Sequence, residues 1–232
     1  MRKGACVAAL FVVVMAVFLI AQAQPGPPAL PGCTQIFQTD MPFLTNQSGC
    51  YVVMENLTGS VGSSGITINH DHVTIDLNGF NLIGVPDSIF GIEGVSRRNI
   101  TIINGTVRDW GNHGIKTNAT VGNLLKDLHV FNNGVSQPPV SDGMGIFAGL
   151  NSVIVNCTAS NNNDHGIQAQ RGSIIRECVA KNNGGIGIQG LESFITECVA
   201  SDNGLDIHIS GGSTFGKKCN NLTSDGSDGG SC

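Results

Sequence analysis

Two histidines, His113 and His165, occupy equivalent positions directly before a Gly-Ile dipeptide. Asp164 adjoins His165, and an exposed histidine beside a carboxylate can act as a general acid–base pair. Asp142 and Arg171 complete the set of candidate catalytic residues. A turn is the competing interpretation, because Asn, Asp and His readily adopt the backbone conformations found before glycine. The sequence favours the turn and identifies no assembled catalytic set.

The longest interruption of the sequence pattern runs from Gly134 to Gly145 and contains Asp142. Loops held by a rigid scaffold often carry binding and catalytic groups. If the molecule has a groove, we expect this loop to form one wall, with His165 and Arg171 nearby. A tolerated insertion explains the segment equally well.

The eight cysteines include one, Cys6, inside an N-terminal apolar run. Cys33 and Cys50 bracket the segment before the first repeat, and in an exported protein they are the best disulfide candidates. Cys219 and Cys232 form a second, weaker candidate pair. No Cys-x-x-Cys spacing occurs, so we expect neither a metal site nor a cofactor site.

These residues recur because the chain repeats itself. Three segments align without gaps: 153–162, 174–183 and 194–203. Within each, apolar residues alternate with polar ones for three to five residues before Gly or Asn interrupts them, which is typical of short β-strands. A unit of 20 to 23 residues with three strands predicts an all-β fold, a right-handed parallel β-helix of six or seven coils.

Equivalent positions in such a fold lie above one another, so the repeat predicts two columns. The inward column consists of small or apolar residues: Gly79, Gly105, Leu128, Cys157, Cys178, Cys198 and Cys219. The second is an asparagine ladder at a turn, formed by Asn133, Asn162, Asn183 and Asn203. Stacking of equivalent residues explains both columns better than a metal-binding or ligand-binding role does.

The N-terminus has the pattern of an export signal. Arg2 and Lys3 precede an apolar run, and Ala21-Gln22-Ala23 matches a small-x-small cleavage site. An uncleaved membrane anchor is the alternative. The predicted organisation is a signal peptide at 1–23, a Pro-rich linker at 24–32, an N-terminal capping segment at 33–59, the β-helix at 60–222 and a Gly/Ser-rich tail at 223–232.

Composition narrows the possible partners. The formal net charge is −5 and only 12% of residues are charged, so the chain offers no basic surface for nucleic acid. Once the signal is removed, no segment is apolar enough to cross a membrane. We expect a secreted, extracellular protein, with the periplasm or the cell surface as alternatives.

The segment 65–79 reads Gly-Ile-Thr-Ile-Asn-His-Asp-His-Val-Thr-Ile-Asp-Leu-Asn-Gly, and Cys-x-Ala-x-Asn-Asn units follow it. These motifs resemble the right-handed parallel β-helix repeat superfamily of pectate-lyase-like and NosD-like proteins, which includes polygalacturonases and mannuronan C5-epimerases. The resemblance covers about residues 60–222 and implies a carbohydrate ligand. The epimerase Asp-Pro-His motif is missing, since Asp164-His165 lacks the proline. Ca²⁺ would be implied only for a lyase-like site.

Three functional hypotheses remain at this point. The first is a secreted, non-catalytic module that binds a polysaccharide or surface glycan, or that contributes to a cell-surface or matrix structure. The alternative is a polysaccharide lyase or C5-epimerase acting on uronic-acid polymers. A NosD-like metal-handling role is the third. Fold alone does not choose among them.

Overall fold

The computed structural model describes residues 32–136, 142–211 and 217–226. The predicted signal peptide and Cys232 lie outside the described residues. One short 3-10 helix, Gln38–Asp40, is present. In chain order the strands are β1 Thr34–Ile36, β2 Phe43–Leu44, β3 Gly49–Val53, β4 Leu57–Thr58, β5 Ile66–Ile68, β6 Val73–Asp76, β7 Asn81–Ile83, β8 Ile92–Gly94, β9 Thr101–Arg108, β10 Ile115–Val121, β11 Leu124–Phe131, β12 Ile146–Leu150, β13 Val153–Val155, β14 Thr158–Ser160, β15 Ile167–Ala169, β16 Ile174–Arg176, β17 Val179–Lys181, β18 Ile186–Leu191, β19 Phe194–Thr196, β20 Val199–Ser201, β21 Leu205–Ser210, β22 Lys217–Cys219 and β23 Leu222–Thr223.

The strands form three parallel faces. Sheet A contains β1, β3, β6, β9, β11, β13, β16, β19 and β22, and sheet B contains β2, β5, β8, β10, β12, β15, β18 and β21. Sheet C contains β4, β7, β14, β17, β20 and β23, and the long strands β9 and β11 bend from sheet A into it. Each coil passes from A to C to B. Seven complete right-handed coils result, from β3 to β21, which confirms the predicted β-helix.

The core is a set of stacked apolar columns. All the members listed here are at most 1% exposed: in sheet B, Ile66, Ile92, Ile115, Ile146, Ile167, Ile188 and Ile207; in sheet A, Tyr51, Ile75, Ile102, Leu125, Ile154, Ile175 and Ile195; in sheet C, Leu57, Leu82, Val107, Val130, Ala159, Ala180 and Ala200. Each fully buried large side chain contributes about 1.5–3 kcal/mol. The alternating pattern read from the sequence therefore becomes the interior.

The thiol column is confirmed for Cys157, Cys178 and Cys198, which are all buried. Hydrogen bonding from each thiol to its neighbour in the stack, together with burial, raises the pKa of Cys178 and of Cys198. The neutral thiol is thus strongly favoured at these two positions, as expected for structural cysteines rather than thiolate ligands.

Two residues were wrongly assigned to this column from the sequence, Cys219 and Gly79. Cys219 pairs with Thr196, and Asn221 instead lies level with Cys198, whose amide it binds. The last coil is longer than the sequence spacing suggested, and this moves Cys219 out of register. Gly79 is an exposed turn residue; Leu77 is buried in its coil, where a Cβ on Gly105 would collide with it.

The predicted Cys33–Cys50 disulfide is present. It joins the residue before β1 to β3, and β1 pairs with β3 directly beside the bond. The predicted capping segment 33–59 therefore contributes strands to the solenoid. The proposed partner of Cys219 lies outside the described residues.

The asparagine ladder is confirmed at the corner between sheets C and B. The Nδ2 groups of Asn133, Asn162 and Asn183 each donate to the Oδ1 of the next asparagine, at 2.9 Å. The last, Asn203, donates to Asp206 instead. Burial would raise the pKa of Asp206, but hydrogen bonds from Ser224 and Asn203 outweigh it and hold this pKa below its usual value.

Candidate functional site

His113 and His165 stand immediately before β10 and β15 of sheet B, at the corner with sheet C. Met144 occupies the same position in the coil between them. The Nδ1 of His113 accepts the amide hydrogen of Met144 at 3.1 Å, and the Nδ1 of His165 lies 3.0 Å from the amide nitrogen of Ile186. The two histidines are therefore structurally equivalent, as predicted, and each contacts the backbone of the coil above.

Asp142 lies beside the other nitrogen of His113, with 3.6 Å between Oδ2 and Nε2. Since Nδ1 accepts a hydrogen bond, the neutral ring carries its proton on Nε2, directed at Asp142. His113 is 2% exposed, and burial lowers its pKa to about 4 despite the opposing effect of Asp142. The imidazole is neutral at neutral pH and so supplies no positive charge.

Asp164 contacts His165, with 2.8 Å between Oδ1 and Nδ1. Burial raises the pKa of Asp164, His165 opposes that change, and Asp142 adds to it. The Asp164 amide donates to the carbonyl of Gly143, so Asp142 and Asp164 lie on successive coils. The structure thus brings both carboxylates and both histidines to one corner.

Arg171 does not belong to this cluster, and its predicted proximity to His165 was wrong. It follows β15, whereas His165 precedes this strand, so the two residues lie at opposite ends of it. Its guanidinium binds Glu192 at 2.9 Å. A short strand of sheet B has one corner of the solenoid before it and another corner after it. The spacing of His165 and Arg171 in the sequence did not show that they lie at these two different corners. Residues 137–141 of the loop that was predicted to form a wall lie outside the described residues.

An aromatic patch adjoins the cluster, and the sequence interpretation missed it. Phe90 stacks on His113 at 5.5 Å between ring centroids, and Phe147 meets the same imidazole edge-on at 5.9 Å. The Lys116 ammonium lies 4.1 Å from the Phe90 centroid. Phe90 and Phe147 are partly exposed. Their signal was present, since Phe147 holds the outward position of its strand and Phe90 precedes Gly-Ile as His113 does.

Two amide oxygens near this aromatic patch lack a hydrogen-bond partner. Gln168 pairs in register with Phe147 and donates to Gln189 at 2.8 Å, which leaves its own buried Oε1 unbound. The Oδ1 of Asn112, next to His113, is likewise buried and unbound. Buried unsatisfied polar atoms are rare in native proteins and often mark a ligand or functional site.

The described residues contain no group of three or more His, Cys, Asp or Glu side chains placed to hold a metal ion. No helix among them is both long and apolar enough for a membrane span. What the corner does present is rings, carboxylates and amide groups facing outward from a rigid sheet. Such a surface can pack against and hydrogen-bond a polar ligand with apolar faces.

Comparison with known proteins agrees with this architecture. The family model for a right-handed β-helix region matches residues 43–227. No curated protein matches the sequence. Among solved structures, the A-module of the mannuronan C-5 epimerase AlgE6 from Azotobacter vinelandii aligns with 77% of this chain and 54% of its own, at 15% identity and a TM-score of 0.50. This chain thus spans about half of that module.

Two further solved structures align with this chain. An alginate lyase from Paenibacillus aligns over 86% of this chain and 97% of its own, at 12% identity and a TM-score of 0.51. The pectin methylesterase of Aspergillus niger aligns over 88% and 89%, at 12% identity and a TM-score of 0.48. At such identities the likeness concerns the fold alone.

Proposed function

This chain belongs to the right-handed β-helix family, and we propose that it binds a polysaccharide on the outer face of sheet B as a secreted, non-catalytic module. The observation that carries the proposal is the aromatic patch of Phe90, His113 and Phe147. Phe90 and Phe147 are the partly exposed rings of this patch, and His113 is the buried ring that they pack against. Exposed rings on a flat, rigid sheet fit the apolar faces of pyranose rings. Gln168 and Gln189, which are partly exposed, offer amide groups that can hydrogen-bond sugar hydroxyls.

The sheet also supplies the linear geometry that a polymer needs. Outward side chains at one register position form a continuous row, one per coil, at ~4.8 Å spacing. That row runs through Glu93, Lys116, Phe147, Gln168 and Gln189. An extended polysaccharide lying along the solenoid axis can therefore contact several coils at once without any change in the backbone.

The candidate catalytic residues support binding rather than reaction. His113 is buried, neutral and committed to the Met144 amide. Arg171 is paired with Glu192 at the other edge of the sheet. The mannuronan epimerase and alginate lyase that share the fold are named for polysaccharide substrates. Their names suggest which polymers to test first, while the proposal itself rests on residues of this chain.

One observation favours a lyase or C5-epimerase as the second candidate. Asp164 and His165 are in direct contact, and the raised pKa of Asp164 suits a carboxyl that exchanges protons. In such an enzyme, this pair would remove the proton at C5 of a uronic-acid residue. A cation, Ca²⁺ for example, would have to neutralise the substrate carboxylate.

The test is polymer binding by the secreted protein and by Phe147→Ala. We expect the alanine variant to lose about tenfold or more in affinity, because truncating an aromatic anchor costs about 2 kcal/mol. Phe194→Ala, which removes a partly exposed phenylalanine from sheet A, is the matched control and should bind normally. Affinity electrophoresis against a panel of neutral, cationic and anionic polysaccharides measures both.

Equal retardation of the Phe147 and Phe194 variants would refute a site on sheet B. The same preparations, incubated with alginate and pectate, report on the second candidate. Release of unsaturated uronides, or C5 inversion, that Asp164→Asn abolishes would establish an enzyme and contradict the non-catalytic assignment.

A further inference from the structure

We infer that the polymer bound on sheet B carries amino groups, as in a glucosamine-type polysaccharide, rather than uronic-acid carboxylates. The inference deepens the proposed function and rests on it. It starts from the charges around the aromatic patch and from how each is already engaged.

Three carboxyl groups border the patch. Glu93 lies next to Lys116 in the outward row of sheet B. Asp142 lies beside His113 and is 59% exposed. Asp164 follows on the next coil, with its amide on the Gly143 carbonyl. Carboxylates gathered around one patch repel one another and also repel any polyanion that approaches the rings.

The positive charge available to oppose them is small. Lys116 is the cation of the patch, and its ammonium lies over the Phe90 ring, 4.1 Å from the centroid. His113 contributes no charge, because its imidazole is buried and accepts a hydrogen bond from Met144. The nearest basic residue of sheet C in the coil of His113, Arg108, is bound by Asp109. Three carboxyl groups therefore face one ammonium group and the imidazole of His165, which contacts Asp164 at 2.8 Å.

The acidic pair can hold one ammonium group between its members. Asp142 and Asp164 lie on successive coils, which stack at ~4.8 Å, and Asp164 is level with Gly143. In an extended β-1,4-linked polysaccharide each sugar is turned over relative to the one before, so amino groups on one side recur at every second sugar, and one of them can lie between the two carboxylates. An ammonium group placed there relieves the repulsion between Asp142 and Asp164, which otherwise disfavours the ionised form of Asp164.

A uronic-acid polymer would meet the opposite situation. Its carboxylates would lie against those of Asp142 and Asp164, with the ammonium of Lys116 as the compensating group. Like charges in contact across an interface cost affinity and so suppress binding of the wrong partner. The same surface therefore selects for a cationic polymer and against an anionic one.

The experiment compares three oligosaccharides of equal length on the full secreted chain: a glucosamine oligomer, its N-acetylated and uncharged counterpart, and oligogalacturonate. We expect the glucosamine oligomer to bind on the order of tenfold more tightly than the acetylated one at low ionic strength and mildly acidic pH, as two exposed ion pairs allow. The preference should shrink as salt is added. Oligogalacturonate should bind most weakly.

The Asp142→Asn/Asp164→Asn double variant should bind the glucosamine and acetylated oligomers equally. Glu177→Gln, at an exposed corner between sheets A and C, is the matched control and should keep the preference. Tighter binding of oligogalacturonate, or equal binding of the two glucosamine oligomers by the unaltered protein, overturns the inference and leaves polysaccharide binding standing. If none of the three and no polymer of the wider panel binds, the proposed function falls together with the inference.

Discussion

His113 is a histidine whose environment removes it from acid–base chemistry near neutral pH. Its ring is sandwiched by Phe90 and Phe147, and its Nδ1 is occupied by the Met144 amide. Protonation would place a charge in a dry site and break that hydrogen bond, so burial lowers the pKa to about 4. The imidazole binds the Met144 amide, two residues before β12, and supports the two partly exposed phenylalanine rings from below the surface.

This environment predicts a pH-dependent stability. The unfolded histidine titrates near pH 6.5 and the folded one near 4, so between these values the unfolded state binds more protons. The stabilisation is complete above about pH 6.5 and declines on acidification, by about 2–3 kcal/mol at pH 4.5. The His113→Gln variant should lack this part of the pH dependence of the free energy of unfolding. Urea unfolding at pH 7.5 and pH 4.5 measures it.

His208→Gln provides the control for this titration, since His208 is a partly exposed, outward residue of sheet B. It should leave the pH dependence of the free energy of unfolding close to that of the unaltered protein. An unchanged slope in His113→Gln would show that the buried ring does not carry the effect.

At the scale of the elements, the corner between sheets C and B is built around one carboxamide per coil. A Cβ added to Gly114, Gly145, Gly166 or Gly187 would lie 2.5–2.8 Å from the Nδ2 of the asparagine above it. This explains the repeated glycine before isoleucine. In the last complete coil, Asp206 occupies the position before isoleucine that glycine holds in the other coils. Its carboxylate accepts a hydrogen bond from Asn203, in the place that the next asparagine of the ladder would occupy.

The ladder predicts a sharp contrast between two neighbouring asparagines. Asn183 is buried and uses its Nδ2 to bind both Asn203 and the Ala159 carbonyl, whereas Asn182 is exposed with φ near 55°. Asn183→Asp replaces that donor with a buried carboxylate and should cost about 3 kcal/mol. Asn182→Asp should be nearly neutral, because aspartate tolerates the left-handed conformation.

Guanidinium unfolding of the two variants at neutral pH measures this contrast. Acidification should narrow the gap, since protonating the introduced carboxylate removes its charge. Equal stability of the two variants would mean that the ladder amides are replaceable by solvent, contrary to their burial.

The repeat made most of this architecture predictable, because stacking converts sequence spacing directly into columns. Register is lost where a coil changes length, and this displaced Cys219. Spacing also does not tell which corner a turn residue occupies, and this misplaced Arg171. Phe147 was visible as an outward residue of its strand, but a single outward aromatic does not recur from coil to coil and was not recognised. The packing of Trp110 against Gly59, Gly65 and Gly91 was missed because these glycines lie far from it in the sequence.

At the scale of the whole molecule, the solenoid has two differently filled halves. In sheet C the buried column runs from Leu57 and Leu82 through valines to Ala159, Ala180 and Ala200, so side-chain volume falls along the axis. The C-terminal coils fill the corner between sheets C and B with the asparagine ladder. The N-terminal coils fill it with Trp110, whose backbone amide also starts the ladder by donating to Asn133.

Trp110 joins these halves. A Cβ on Gly59, Gly65 or Gly91 would lie within 3.0 Å of its indole, so the glycines leave the space that the ring fills. Its Nε1 donates to the Leu82 carbonyl at 3.2 Å, one coil below. The indole thus fills the volume that side chains would occupy if Gly59, Gly65 and Gly91 were larger residues. In a solenoid each coil is stabilised chiefly by its neighbours, so damage at this junction stays local.

Trp110→Ala should therefore remove about 3–5 kcal/mol from the N-terminal coils through the cavity it leaves. Trp110→Phe should cost less, because it keeps most of the volume and loses the bond to Leu82. Native-state hydrogen exchange resolves where the loss falls. We expect faster exchange in strands β4 to β8 of the alanine variant, while β15 to β20 keep their protection. Uniform loss across all seven coils would instead show one cooperative unit, with the ladder unable to hold the C-terminal coils without the indole.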